Sequence, residues 1–258
     1  MEAIVTALGP LADRVVVEIG PGRGAITDLL AARAGRLLAV EFDPALASAL
    51  RERYAAKSSV AIHSGDVLEF DFADAAREAG QPLLVVGNLP YYITSPILLH
   101  LAGCIASTAP SPAMETAVLM VQREVADRVT AEPGTRDYGL LTVQCALHGM
   151  ATPLFTLPPE AFSPAPMVHS TVFRWNFSLR FDSLGLQHAS DREKFSSLLR
   201  VAFAQKRKTL ANNLRAAGFP ANRISAALID ASIPQQARAE QLSLDQFAAL
   251  HHALSAAQ

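Results

Sequence analysis

The chain opens as an alternation of short, wholly apolar runs with longer amphipathic stretches. Val15-Val16-Val17-Glu18-Ile19 is a β-branched run halted by Gly20-Pro21-Gly22, and residues 25–34 follow with helical composition. Leu37-Leu38-Ala39-Val40 reads as a second strand, and residues 44–54 as a helix with Pro44 in its first turn. Val60-Ala61-Ile62 and Leu83-Leu84-Val85-Val86 are the third and fourth strands, after which Ser95-Pro96 opens a helix. Residues 116–121 read as a fifth strand, 123–130 and 140–148 as helices, and 168–175 as a closing strand. Strands that are apolar throughout predict a parallel sheet covered by helices on both faces.

The pattern changes after Trp175. From Asp191 onward it predicts only helices, over residues 194–204, 209–217, 223–231 and 244–256, punctuated by Gly218-Phe219-Pro220 and Ile233-Pro234. The expected organisation is an α/β domain over residues 1–177 and a small all-helical domain over 178–258. No repeat or low-complexity tract interrupts either.

Composition narrows the class. Half of the 258 residues are hydrophobic and 18% are charged, enough to bury a core and too apolar for a disordered chain. Cys104 and Cys145 sit in apolar surroundings without CxxC spacing. They read as free thiols of a reducing compartment, and no metal site is expected. The chain opens Met1-Glu2 and has no apolar run long enough to cross a bilayer, so a cytoplasmic protein without a membrane partner is expected. The net charge of −2 argues against a polyanionic partner, but its distribution argues for one. Between Asp191 and Arg223 eight basic residues face only two acidic ones, the kind of local footprint that phosphate contacts leave.

Five motifs carry candidate chemistry. Glu18-Ile19-Gly20-Pro21-Gly22-Arg23-Gly24 follows the first strand, where glycines let the backbone turn sharply and approach a ligand. Its spacing also suits a dinucleotide fingerprint, although Pro21 stiffens the turn. Glu41, at the end of the second strand, is placed to hold two ribose hydroxyls, which suits a nucleoside in either case. Gly65-Asp66-Val67 follows the third strand. Asp66 either accepts a hydrogen bond from an adenine amino group or merely caps a helix.

Asn88-Leu89-Pro90-Tyr91-Tyr92 follows the fourth strand and should reach the same crevice as the glycine turn. The exocyclic nitrogen of adenine is a poor nucleophile because its lone pair is delocalised into the ring. An Asn side-chain oxygen and a neighbouring backbone carbonyl can accept both of its hydrogens, favouring a localised lone pair. Pro90 fixes the backbone that presents the carbonyl, and Tyr91 offers a ring for stacking on the base. The alternative is an ordinary turn. The loop running from Phe162-Ser163-Pro164-Ala165-Pro166 to Ser170 would present Phe162 to the other face of an extruded base, or would be an ordinary proline-rich connection. Finally, Lys206-Arg207-Lys208 precedes Thr209-Leu210, either as RNA-backbone ligands or as a solvated basic helix start.

Taken together these residues resemble the small-subunit ribosomal RNA adenine N6,N6-dimethyltransferase family, the KsgA/RsmA type. The resemblance rests on Glu18 to Gly24, Gly65 to Val67, Asn88 to Tyr91, Gln122-Arg123-Glu124-Val125-Ala126, Tyr138-Gly139-Leu140-Leu141, Phe162 to Val168 and Phe203 to Leu210, and covers residues 4–250. It implies a Rossmann-like, seven-stranded S-adenosylmethionine-dependent methyltransferase sheet with a C-terminal helical domain that binds RNA. It implies dimethylation of two adjacent adenines in the 3′-terminal hairpin of 16S rRNA within an immature particle, by a monomer that needs no metal. The amine sheds its proton to solvent, so no general base is required.

The resemblance also distributes the roles. Glu18, Gly20, Gly22, Gly24, Glu41, Asp66, Val67 and Asn88 fall at cofactor positions. Asn88, Leu89, Pro90, Tyr91 and Phe162 fall at the target adenine, and Arg123, Lys206, Arg207 and Lys208 at the RNA. Family members carry a basic segment ending in Gln-Asn-Phe-Leu before the first helix. Met1 aligns inside that helix, so weaker cofactor binding is expected. Other readings are a resistance-type methyltransferase acting on 23S rRNA, a DNA adenine methyltransferase, a nicotinamide oxidoreductase that leaves the Asn88 loop unexplained, and a non-catalytic ribosome-assembly factor.

Overall fold

The computed structural model describes residues 1–107, 112–162 and 166–256. A short helix, α1 (Glu2–Thr6), leads into β1 (Val15–Ile19), which is buried along its whole length as a strand flanked on both sides must be. There follow α2 (Thr27–Arg33), β2 (Arg36–Glu41), α3 (Pro44–Arg53), β3 (Val60–Ser64), α4 (Phe72–Ala79) and β4 (Leu83–Asn88). Asp43 caps α3 through Oδ1 on the backbone N–H groups of Ala45 and Leu46, and Pro44 occupies the first turn, where its missing N–H costs nothing. Then come α5 (Thr94–Ser107), β5 (Met114–Gln122), α6 (Arg123–Val129), α7 (Leu140–Ala146), β6 (Gly149–Leu157) and β7 (Ser170–Phe177). The remaining helices are α8 (Ala189–Ala202), α9 (Leu210–Ala216), α10 (Ala221–Asp230) and α11 (Leu244–Ala256).

The chain divides into two compact units, Met1–Ala126 with His148–Ser178, and Asp127–Leu147 with Leu179–Gln258. The first holds a seven-stranded sheet of order β3-β2-β1-β4-β5-β7-β6. β1 to β5 are mutually parallel, whereas β7 runs antiparallel to β5 and β6 antiparallel to β7. The sheet is therefore mixed, not the all-parallel sheet the apolar runs suggest. The connection from β6 to β7 spans only residues 158–169, with the single turn Pro159–Ala161 as regular structure among its described residues, and a parallel crossover usually needs a helix. Ser163, Pro164 and Ala165 of the expected clamp loop lie outside the described residues.

β6 carries no strand signature in the sequence, and its position explains why. It is the edge strand, largely exposed, and Pro153 sits where the ladder with β7 shifts register between Pro153 and Phe155. Proline cannot donate to a ladder, so an edge or an irregularity is where a strand tolerates it. In the interior, Val16, Val86, Val118, Met120 and Val172 from four strands pack with Ile4, Val5 and Leu30.

The second unit is helical and discontinuous. The expected boundary near residue 177 assigned residues 127–147 to the α/β domain, and the structure places them with the C-terminal helices. Polar contacts distant in sequence account for this. The buried Tyr138 hydroxyl donates to the Leu242 carbonyl (2.7 Å), Gly134 N–H to the Glu240 carbonyl (2.7 Å) and Lys206 Nζ to the Arg136 carbonyl (2.6 Å). Phe195, Leu210, Leu214, Leu228 and Phe247 form the apolar interior. Asn213, itself buried, donates from its side-chain amide to the Ala202 carbonyl (2.6 Å), satisfying a carbonyl that the end of α8 leaves open.

Candidate active site and nucleic-acid interface

Strand order reverses between β1 and β4, since β1 continues outward through β2 and β4 through β5. Ligands of open α/β sheets bind at such a switch point, beyond the carboxyl ends of the strands. Two glycines make the switch point possible. Gly20 turns off β1 with φ +66°, a left-handed conformation, and its N–H donates to the Val40 carbonyl (3.0 Å). Gly87, the penultimate residue of β4, packs so closely that a Cβ there would stand 2.8 Å from the Ile19 carbonyl oxygen and 3.0 Å from Ile19 Cβ.

Glu41 ends β2 and ties the crevice together. Its carboxylate accepts from Gly22 N–H through Oε2 (2.8 Å) and from Asp43 N–H through Oε1 (2.9 Å), and the residue is 6% exposed. Each oxygen keeps a further lone pair. Asp66 does what the bland reading expects, accepting from Leu68 N–H (2.9 Å) as the cap of the turn Val67–Glu69. Only Oδ1 is engaged in that bond, so capping and ligand contact are compatible. Val67 is buried behind it.

These groups line one cavity of about 390 Å³, bounded also by Gly20, Val40, Asp43, Gly65, Pro90 and Ile97. Its size falls in the range of small-molecule sites, about 300–1,000 Å³. Two aromatic residues to which the sequence assigned no role belong to it: Phe42, 69% exposed, which no motif includes, and Tyr92, 81% exposed, the last residue of the Asn88 motif. Large apolar side chains so exposed beside a carboxylate-lined cavity suit a flat ring. The signal for Phe42 was its place directly after Glu41.

Glu18 lies elsewhere. It is 2% exposed within β1, its Oε2 has no hydrogen-bond partner among the described residues, and it does not line the cavity. Burial, assisted by the Glu41 and Asp28 carboxylates and opposed by the Thr27 hydroxyl, pushes its carboxyl up to about 7. Gly22 and Gly24, with φ +59° and +87°, shape the turn above it without lining the cavity.

The Asn88 loop leaves two acceptors unspent. Asn88 is the exposed last residue of β4, and its side-chain amide has no hydrogen-bond partner among the described residues. Leu89 is buried and donates its N–H to the Met120 carbonyl (3.0 Å), but its own carbonyl accepts nothing among the described residues. The Pro90 carbonyl, by contrast, accepts from Thr94 Oγ1 (2.9 Å) and Ile93 N–H (3.2 Å), which fixes the turn into α5. Tyr91 is held by its hydroxyl 2.9 Å from Ser170 Oγ at the start of β7. Phe162 is half-buried and rests against the core cluster that includes Ile4 and Val5.

The basic residues divide between the units. Arg123 is exposed at the start of α6, its N–H on the His169 carbonyl (3.0 Å). Lys206, Arg207 and Lys208 form the turn between α8 and α9 rather than the start of a helix, because Thr209 supplies the cap of α9. Lys206 is spent on the Arg136 carbonyl, while the side chains of Arg207 and Lys208 are exposed and have no partner among the described residues.

Among the described residues, no helix is long and apolar enough to cross a membrane. The model of the ribosomal RNA adenine dimethylase family matches residues 1–255. A relative named ribosomal RNA small subunit methyltransferase A, from Acidobacterium capsulatum, is 55% identical over 98% of this chain and 85% of its own length. One of the same name from Koribacter versatilis is 45% identical over 97% and 88%. Among solved structures, the 23S rRNA methyltransferase ErmE superposes with a TM-score of 0.70 at 26% identity, covering 98% of this chain and 96% of that one. A dimethyladenosine transferase from Plasmodium falciparum shares the fold with a TM-score of 0.77 at 24% identity, covering 96% and 92%. The chain, with its Rossmann-like methyltransferase sheet and helical C-terminal region, belongs to the ribosomal RNA adenine dimethylase family.

Proposed function

We propose that this protein methylates the exocyclic N6 of two adjacent adenines in the 3′-terminal hairpin of small-subunit ribosomal RNA, with S-adenosylmethionine as methyl donor. The observation that carries the reading is the pair of unspent acceptors, the Asn88 side chain and the Leu89 carbonyl, at the switch point beside the Gly20 turn. An amino group whose two hydrogens are held by two acceptors presents its lone pair outward, which is the requirement for attack on an electrophilic carbon. The cavity residues fit a nucleoside cofactor: Glu41 retains lone pairs for ribose hydroxyls, Asp66 retains Oδ2 for an amino group, and Phe42 offers a ring face. When bound there, S-adenosylmethionine supplies an activated methyl group.

The remaining residues position the target. Pro90 and Thr94 set the loop, and Tyr91, anchored on Ser170, supplies a surface for the extruded base. Phe162 would complete a clamp by leaving its resting place on the core. Arg123, Arg207 and Lys208 serve the RNA backbone. The relatives named for the small subunit, at 55% and 45% identity, favour that target over 23S RNA, for which the likeness is 26%. We place the protein in the cytoplasm, acting as a monomer without metal on an immature particle. The test is incubation with labelled S-adenosylmethionine and small subunits that lack these methyl groups. Label in N6-methylated adenine, lost in Asn88→Ala, supports the reading. Label in DNA, protein or large-subunit RNA overturns it.

A further inference from the structure

The helical unit has a cavity of its own. It measures about 280 Å³ and lies among α8, α10 and α11, walled by Leu198, Val201, Phe219 and Leu254 and edged by Lys194, Ser197, Arg223, His251 and Ser255. None of these residues belongs to the motifs assigned to methyl transfer. The volume lies just below the usual range of ligand sites, about 300–1,000 Å³, which excludes a large cofactor.

The polar edge is cationic and incompletely satisfied. Lys194 is exposed and has no ion-pair or hydrogen-bond partner among the described residues. Arg223 donates from one terminal nitrogen to the Leu254 carbonyl, while its Nε is buried without a hydrogen-bond partner among the described residues. Ser197 and Ser255 add two hydroxyls with no bond among the described residues. His251 is 5% exposed, stacked edge-on against Phe195, and held below its ordinary pKa by burial and then by His252 and Lys194, with Asp191 opposing. The permanent charge of the edge comes from Lys194 and Arg223. Two cations with hydroxyl donors above an aromatic and aliphatic wall match a phosphate joined to a sugar and a flat base. A bare anion would leave the Phe219 and Leu254 wall unused, and an apolar ligand would leave Arg223 and Lys194 unanswered.

We propose that this cavity is a ribonucleotide subsite, with Lys194 and Arg223 on the phosphate and the base against Phe219. The choice of RNA as its natural source rests on the reading of the protein as an RNA methyltransferase, whereas the ribonucleotide chemistry does not. A subsite here would grip a nucleotide of the bound strand through the helical unit, apart from the adenine at Asn88.

The test uses the full chain saturated with S-adenosylhomocysteine, so that nucleotides cannot report from the cofactor cavity. Uridine 5′-monophosphate, pentauridylate and inorganic phosphate are titrated while the imidazole resonances of His251 are followed by NMR, with calorimetry for affinity. The inference expects saturable His251 shifts with the two nucleotide probes and at least tenfold weaker binding of phosphate. Lys194→Ala should weaken both nucleotides about tenfold, as loss of one charge-assisted contact does. It should also flatten the salt slope for pentauridylate by about 0.7. Ser197→Trp, an exposed position that fills the cavity without touching the core, should abolish the shifts. Tighter binding of pentauridylate assigns the nucleotide to an RNA strand, and tighter binding of the monophosphate to a free nucleotide. Phosphate binding as well as either, or shifts that survive Ser197→Trp, overturns the proposal. Methyl transfer is not measured, so this result is independent of whether Asn88 acts on adenine.

Discussion

Tyr91 and Ser170, 79 residues apart, are joined by a 2.9 Å hydrogen bond that fixes the loop after β4 to the first residue of β7. Ser170 is fully buried, so its hydroxyl has little access to water as a substitute partner. Removing either side of the bond should cost about 0.5–1.5 kcal/mol of stability. Ser170→Ala and Tyr91→Phe should each show this in denaturant unfolding, and the double variant should cost less than their sum. Methyl transfer should fall more in Tyr91→Ala than in Tyr91→Phe, because only the former removes the ring. Equal rates for the two would show that the ring does not stack on the base.

Asn88→Ala should leave the fold intact, since the side chain is exposed at a strand end and bonds to nothing within the described residues. Methyl transfer should nevertheless drop by about 100-fold or more, the scale of losing one preorganised hydrogen-bonding group. Circular dichroism with a single-turnover labelled assay separates the two effects. Calorimetric affinity for S-adenosylhomocysteine should change far less than the rate.

Gly87→Ala should be costly. Its new methyl would press on the Ile19 carbonyl and side chain, forcing β4 away from β1 at the switch point. Overpacking of this kind costs about 1–3 kcal/mol. Gly103→Ala is the matched control: it lies inside α5, a Cβ there meets nothing within 4 Å, and the protein should gain about 0.5–1 kcal/mol. Thermal unfolding of the two variants should therefore move in opposite directions.

Glu18 gives the fold a pH dependence of definite sign. Its folded pKa, about 7, stands above the 4.5 ordinary for a glutamate, so the native state holds a proton that the unfolded state releases between those values. Stability from this group is fully present below pH 4.5 and is lost as pH rises through 7, by roughly 3 kcal/mol. Glu18→Gln keeps the shape without the charge and should flatten that loss. Unfolding midpoints at pH 5 and pH 8 decide it: the parent's stability advantage at pH 5 over pH 8 should shrink in the variant.

How far the sequence carried these conclusions varied with the locality of the cause. β1 and β4 were legible because strands buried on both faces are filled almost entirely by apolar residues, Glu18 being the buried exception. β6 was not, because an edge strand interrupted by Pro153 has neither an apolar run nor a clean alternation. Glu41 and Asp66 could be found from their places at strand ends, yet not that Glu41 also stitches Gly22 to Asp43, nor that Asp66 caps a turn while one oxygen stays free of that bond. Lys206 looked equivalent to its two neighbours until the Arg136 carbonyl claimed it. The grouping of residues 127–147 depended on bonds such as Tyr138 to Leu242, which span 104 positions and leave no local trace.

That grouping has a consequence for synthesis. Domains tend to fold in the order in which they leave the ribosome. Residues 127–147 emerge before β6 and β7, but the carbonyl that receives the Tyr138 hydroxyl is made only at residue 242. The sheet can close while the excursion between β5 and β6 still waits for its helices. A chain cut after residue 178 would hold every strand and the Asn88 loop, yet strand Tyr138 and Val143 without their buried surroundings. The unit that carries the sheet is thus interrupted by a loop, residues 127–147, that belongs to the other unit and is translated before its partners there.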